Sequence, residues 1–451
     1  MPVENATHTE NLLQTLRDAL DGGTMRHVRG MLNSMHPAEV ASLLESLPPA
    51  RRAVVWELIG PDDEGEVLLN VNDEVRSGLI DNMEVEELVA AADGLEVDDL
   101  ADLIISLPEA VTQRVLQAME EADRQRLQTV LAFDEDSAGG LMNTDTITVR
   151  PDVTVEVVLR YLRMHGEVPD GTDTLFVVDR FGRLIGSAYL SRLLTADPES
   201  TIAALMLTDV PDIPADMPAT EVAKLFENHD LYSAAVVDEG RQLLGRITVD
   251  DVVDVIRDEA EHTVMSMAGL DEEFDMFSPV FTSARRRAIW LAVNLATAFV
   301  AARVVGVFEA TIEQVVALAV LMPVVASMGG IAGSQTLTII IRGVALGQVG
   351  GSNARWLMNR ELAVAAINGV VWAVVIALIV VLWFQSWMLG AVIGAAIVIN
   401  LLAAALAGVV IPLSMKRLGI DPALAGSVVL TTVTDVVGFT AFLGLGALLL
   451  V

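Results

Sequence analysis

Five long apolar runs crowd the C-terminal third of this chain, at roughly 288–307, 315–341, 362–384, 388–413 and 423–450. A hydrocarbon layer about 30 Å thick takes about 20 apolar residues to cross as a helix, and each run is close to that length. Backbone inside lipid must satisfy its own hydrogen bonds, so runs of this kind have only the helix open to them. The rest of the chain is of another kind. Nine Lys/Arg and five Asp/Glu lie beyond residue 280, which leaves 19 basic and 56 acidic residues before it: a net charge near −37 against one near +4. A surface that acidic repels nucleic acid and anionic lipid and attracts cations, so no nucleic-acid partner is expected. There is no cysteine, hence no disulfide, thiolate metal site or thiol redox chemistry. The early apolar runs are short and follow acidic residues, unlike a secretory leader, and the acidic part is expected in the cytoplasm.

Basic residues orient the runs. Arg285 to Arg287 precede the first, Arg342, Arg355 and Arg360 separate the second from the third, and Lys416 and Arg417 separate the fourth from the fifth. The opposite connections, 308–313 and 383–387, carry neither Lys nor Arg. The positive-inside rule predicts a cytoplasmic N-terminus and a C-terminus outside, with Trp383 and Trp387 as interface anchors. Arg303 breaks the pattern; it either snorkels outward or pairs with Glu309 or Glu313.

Asp435 is alone in the last run, 14 residues beyond Asp421. At a rise of about 1.5 Å per residue that is about 21 Å along a helix, deep in the hydrocarbon. A carboxylate there needs water, a cation or a proton path, or else holds the bundle together as a paired or protonated acid. An ion path is the stronger reading. The second run joins Pro323 to Gly329, Gly330, Gly333, Ser334 and Gln335. Small residues let membrane helices approach closely, while proline with a polar Gln335 predicts a broken helix beside a wet cavity.

The acidic part holds two repeats. Ala41-Ser42-Leu43-Leu44-Glu45-Ser46-Leu47-Pro48 reappears as Ala101-Asp102-Leu103-Ile104-Ile105-Ser106-Leu107-Pro108, within short amphipathic helices ending at prolines over 12–130. Such helices stack into a superhelix. Most of its acids read as a solvated face, yet Glu96, Asp98, Asp99 and Asp102 are dense enough for a cation, with Asp98 and Asp102 neighbours at i, i+4. In the second repeat Leu175 to Asp179 and Ala234 to Asp238 are buried strands, each followed by a turn, a second strand and a helix.

This second repeat resembles a tandem pair of CBS domains, modules that often bind adenine nucleotides. Thr248 and Asp251 match a ribose-binding Thr/Asp pair, which makes ATP a candidate ligand. From Asp250 to about Gly269 the chain reads as a long acidic helix that reaches the first span through Ser278-Pro279, either a passive spacer or a gate. Expected overall is a multidomain chain: an α-helical superhelix (12–130), an α/β CBS pair (131–252), a connecting helix (253–278) and an all-α five-helix transmembrane domain (285–451).

That order resembles the MgtE family of magnesium channels and transporters. The closest matching residues are Pro323, Gly329, Gly330, Gly333, Gln335 and Arg342, then Asp421, Pro422, Ala423, Thr432, Asp435 and Gly438. The resemblance implies a homodimer in a bacterial inner membrane with its pore between the two bundles. There Asp435 from each copy meets Mg²⁺, with Thr431 one turn and Ser427 two turns toward the cytoplasm and Asp421 at the start of the helix. It implies that cytoplasmic Mg²⁺ bridges Asp98, Asp99, Asp102, Asp230, Asp251, Asp254 and Glu259 to close the pore. The chain departs from the family at Ile331 and Ser334, at Ser427-Val428, and at His262-Thr263, where acids are usual. Mn²⁺ or Co²⁺, or coupled transport, is the alternative, because Mg²⁺ and Mn²⁺ both favour oxygen ligands. Enzymatic readings fail. All six histidines precede the first span, so no membrane helix carries His-Glu-x-x-His, and no Gly-x-x-x-x-Gly-Lys-Ser/Thr loop serves a pump.

Overall fold

A computed structural model describes residues 25–451 except 94, 167, 170, 271–274 and 351–352. The expected start of the superhelix at residue 12 lies outside the described residues. The chain divides into two compact units. One runs to Ala260 and takes in the segment ending at Ser278; the other starts at Glu261 and resumes at Pro279.

In the first unit, short helices follow one another from Met25–Leu32 through Pro37–Glu45, Pro49–Trp56, Glu64–Asn70, Asp73–Ile80, Val85–Ala92, Val97–Ser106 and Glu109–Ala118 to Glu121–Val130. Prolines open these helices rather than close them: Pro37 and Pro49 sit in first turns, and Pro48 and Pro108 are N-caps. The first turn has backbone N–H groups to spare, so proline's missing donor costs nothing there. His36 and Glu39 form a capping box, and Asn72 caps its helix by accepting from Val75 N. Arginine closes the other ends. Arg52, Arg76 and Arg124 each donate to the carbonyl eight residues earlier, on Leu44, Leu68 and Leu116, satisfying carbonyls that a helix end leaves free.

Arg52 does more. Its buried guanidinium also meets Asp275 Oδ2 at 2.9 Å, and Asp275 N donates to Glu74 Oε2 at 3.1 Å. Ser278 donates to the same Glu74 carboxylate. Residues 275–278 therefore return to the superhelix just before Pro279 caps the first span. Removing one partner of a buried ion pair strands the other charge. Asp275→Ala is accordingly expected to cost about 3–5 kcal/mol, read as a lower denaturant midpoint for proteolysis of the superhelix.

The CBS pair forms two three-stranded sheets: β1 (Thr148–Val149), β2 (Thr174–Val178) and β3 (Leu184–Tyr189), then β4 (Asp212–Pro214), β5 (Ser233–Val237) and β6 (Leu243–Thr248). In each the first pairing is parallel and the second antiparallel, and both antiparallel pairs slip register at the same place, Val177/Val178 and Val236/Val237. Asp179 and Asp238 close the turns by accepting two backbone N–H groups each. Phe176 and Leu184 meet Ala235 and Val237 between the sheets. The core of the second repeat, with Val222, Phe226 and Val236, is continuous with the superhelix core. The connecting helix follows directly as Val249–Met267.

Five helices of the described residues are long and apolar enough to span a membrane: Val280–Val307, Ala317–Ala345, Ala354–Phe384, Trp387–Arg417 and Pro422–Leu449. The first, third and fourth overrun their apolar runs, because charged and polar residues at the ends remain helical. The fourth is the buried centre of the bundle, whereas Ala301 is the buried residue of the first. The second span is not broken. It continues as helix through Pro323, which lies in its second turn and removes only one hydrogen bond. Gln335 and Ser334 are exposed rather than lining a break. Arg303 is exposed and forms no ion pair with Glu309 or Glu313.

Candidate functional site

The fifth span is aimed by its first turn. Gly419 turns the chain at φ +70°, and Asp421 caps the helix by accepting from Ala423 N at 2.9 Å and Leu424 N at 3.2 Å, with Pro422 at the first position. With the start fixed, 3.6-residue periodicity sorts the rest. Gly426, Leu430, Thr434, Gly438 and Phe442 recur every four residues as the buried stripe. Ser427, Thr431 and Asp435 recur likewise on another face, where Thr431 is exposed and Ser427 and Asp435 are half-buried. Thr431 Oγ1 donates back to Ser427 O at 2.9 Å, leaving its lone pairs outward. Among the described residues, the Asp435 carboxylate has no hydrogen-bond or ion-pair partner. The geometry is a polar stripe ending in an uncompensated charge.

Two buried polar groups in this bundle escaped the sequence reading. Asn400 of the fourth span is fully buried, and Glu361 of the third is 5% exposed. Glu361 accepts from Thr336 Oγ1 at 3.4 Å and from Arg360 Nη1 at 2.6 Å. Asn400 donates from Nδ2 to Val325 O at 2.9 Å. One asparagine in a small-residue run carries no local signal; Glu361 was visible as a charge, but not its burial. At the start of the fifth span His262 Nε2 lies 3.3 Å from Asp421 Oδ2, so the histidine that departs from the family pattern touches the carboxylate that caps that span.

The second candidate site lies in the first unit, where the helix Val97–Ser106 meets the start of the connecting helix. Asp98 is 8% exposed. Burial, then the nearby Asp251, Asp99 and Glu96 carboxylates, push it up to about 8. Asp99 rises to about 6 through burial and the charges of Glu96, Asp250, Glu66 and Asp254. Asp251 rises to about 7, mainly by burial, against hydrogen bonds that hold it down: its Oδ2 accepts from Thr248 N at 3.1 Å and Thr248 Oγ1 at 3.0 Å. Asp102, more exposed, moves the same way through burial and the Glu135 and Asp99 charges, with Arg76 opposing. Asp254 is raised as well, chiefly by burial, and pairs with Arg257 at 3.1 Å.

Asn143, at the start of the CBS pair, bridges the two parts: Nδ2 reaches Asp98 Oδ1 at 3.2 Å and also Glu96. The sequence reading missed it, for want of any motif around it. Asp230 and Glu259 do not press on this cluster. Asp230 is an exposed, left-handed helix cap, and Glu259 lies on the exposed face of the connecting helix. Among the described residues no three His, Asp or Glu stand close enough to ligate one bare ion.

Acids whose folded values lie above the ordinary 3.8 favour the protonated form, so the stability they permit is complete below that value. It is lost as pH rises through about 6 for Asp99, 7 for Asp251 and 8 for Asp98. In chelator, cleavage between superhelix and CBS pair should therefore speed up from about pH 5 to about pH 8.5, and Mg²⁺ should restore protection while releasing protons. pH-independent cleavage would count against this cluster.

Thr248 and Asp251 are brought together, but bonded to each other and among the acids. A separate small cleft between the sheets is lined by Thr174, Phe176, Ser187, Tyr189, Pro211 and Ser233. At its edge Asp173 accepts from Ser233 Oγ at 2.5 Å and Thr174 Oγ1 at 2.8 Å.

Comparison with known proteins matches residues 35–136 to the MgtE intracellular N domain, 138–199 and 202–258 to the CBS domain, and 322–445 to a divalent cation transporter domain. The magnesium transporter MgtE of Thermus thermophilus is 32% identical over 343 residues, 76% of each chain. That of Bacillus subtilis is 28% identical over 346 residues, 77% of each. Among solved structures, the cytosolic domain of the Mg²⁺ channel MgtE in complex with ATP is similar. It is 33% identical with a TM-score of 0.50, covering 54% of this chain and 99% of that one.

Proposed function

Since the chain belongs to the MgtE family of magnesium transporters, non-enzymatic multi-pass membrane proteins with an intracellular N domain, we propose that it conducts Mg²⁺ past Asp435 and closes when cytoplasmic Mg²⁺ fills the acid cluster around Asp98. The observation that carries the gating half is the cluster itself: Asp98, Asp99, Asp102 and Asp251, from two domains, crowd together, with Arg76 offsetting the charge of Asp102. Folding does not gather such charges for stability, since like charges in a poorly solvated place repel. A divalent ion removes the repulsion, and a signal follows because the ion binds the docked form better than the separated one.

The conduction half rests on the uncovered stripe of Ser427, Thr431 and Asp435. In a homodimer in the bacterial inner membrane, with the C-terminus outside, two such stripes would face each other across a symmetry axis. Paired carboxylates then match the ion's charge, and hydroxyls and carbonyls hold its water. Asp421 serves as helix cap at the cytoplasmic end of that path. ATP would lie at the CBS pair beside Thr248. The solved relative that holds ATP supports this, and labelled-ATP binding compared with that of Thr248→Ala tests it.

The test of the whole reading is uptake by protein reconstituted in vesicles, over a panel of Mg²⁺, Mn²⁺ and Co²⁺, with Mg²⁺ varied on the cytoplasmic face. Mg²⁺ flux that falls as cytoplasmic Mg²⁺ rises is expected. Flux indifferent to cytoplasmic Mg²⁺ would overturn the gating half, and preference for another ion the substrate.

A further inference from the structure

Asn400 is a polar side chain at full burial in a membrane bundle, where leucine would pack without the cost of stripping a carboxamide of water. Its Nδ2 donates 2.9 Å to Val325 O of the second span, a carbonyl one turn before Gly329. Its Oδ1 is buried and has no donor among the described residues. Two glycines from different helices close on the carboxamide. A Cβ at Gly438 of the fifth span would lie 2.6 Å from Nδ2, and one at Gly329 of the second would overlap the same group. Neither position has room for alanine while Asn400 stays where it is. At this level the flat carboxamide thus lies between the second and fifth spans, which elsewhere pack directly, and is tied only to the second.

Gly438 lies three residues, one helical turn, from Asp435. A change in thickness at Asn400 moves the fifth-span backbone at that level, and the carboxylate with it. We propose that Asn400 is a positioning residue for ion passage, a spacer that sets the depth and rotation of Asp435 by holding the fifth span off the second. The inference rests on the reading that Asp435 meets the permeating ion. An unpartnered oxygen in hydrocarbon is otherwise a standing cost, and a tight spacer of fixed shape explains why it is tolerated.

The test uses the full-length protein in vesicles, with Mg²⁺ flux measured against Mg²⁺ concentration. Asn400→Leu keeps the volume but loses the planar shape and the bond to Val325. It should raise the Mg²⁺ needed for half-maximal flux about tenfold, since a displacement near 1 Å at a charged site costs up to about a hundredfold. Gly438→Ala should lower flux by a similar factor. The double variant Gly438→Ala with Asn400→Ala should recover most of it, because the added methyl then occupies the vacated space. A purely structural role would lower the amount of assembled protein without moving the half-saturating concentration, and would not show the rescue. Unchanged half-saturation in Asn400→Leu, or a Gly438→Ala defect that Asn400→Ala does not relieve, overturns the proposal. Should Asn400→Leu fail to assemble, the rescue pair decides. Asp435→Ala, run alongside, separates the failures: normal flux there sinks both readings, while lost flux there with indifferent Asn400 variants sinks the spacer alone.

Discussion

Asp435→Ala is expected to lose divalent uptake almost completely while still inserting and assembling. A full charge about 4–5 Å from a divalent ion, at an effective dielectric constant of about 20, contributes about 7 kcal/mol, on the order of a hundred-thousandfold in occupancy. Nothing else on that face replaces it: Thr431 and Ser427 are neutral, and Thr431 already donates its proton to Ser427 O. Asp435→Asn should keep the shape and lose nearly as much, whereas Asp435→Glu should retain part of the flux. The bundle should survive the change, because Asp435 has no partner among the described residues whose loss would loosen it. Near-normal Mg²⁺ flux through Asp435→Ala would end the assignment of this stripe to the ion path.

The second large effect is expected at the cytoplasmic cluster. Deleting residues 1–130 should leave flux running at cytoplasmic Mg²⁺ that shuts the full-length protein. Replacing Asp98, Asp99 and Asp251 together by asparagine should flatten the dependence on Mg²⁺. It should also protect the junction of superhelix and CBS pair from protease in chelator, since the repulsion that Mg²⁺ must cancel is gone. Single changes should do much less at the exposed acids. Moving a population from 1:99 to 99:1 takes about 5.5 kcal/mol, and an exposed pair is worth about 0–1 kcal/mol, so several must act together. Asp98 is the exception, buried and raised to about 8, and its single neutralisation should have the largest effect of any one acid. Identical Mg²⁺ curves for the triple variant and the unaltered chain would remove the cluster from the gate.

The two sites differed in how far they could be read. Asp435 announced itself because a lone charge in an apolar run has no solvated default, so composition and depth sufficed. The Asp98 group did not, because in a chain with this many acids each reads first as a solvated face. Only the packing of Val97–Ser106 against Asn143 and the start of the connecting helix separates Asp98 from Asp230 and Glu259. In sequence His262 stands only where an acid is usual; its approach to Asp421 depends on two helices whose contacting residues are 159 apart.

What the sequence by itself determined are the features with a local physical cause. Runs of apolar residues must be helices in lipid. Two strand-turn-strand-helix repeats with the same Val-Val-Asp turn make the CBS pair, and basic loops orient the spans. What only the tertiary structure decided are the features that depend on partners far along the chain. Pro323 lies within a continuous helix, which gives up the one hydrogen bond its missing N–H would make. Arg52 holds Asp275 across 223 residues. Asn400 gains its meaning from Val325, Gly329 and Gly438, on two other helices. A hydrogen bond or a close approach is a relation between surfaces, and sequence states each surface without stating which one it will meet.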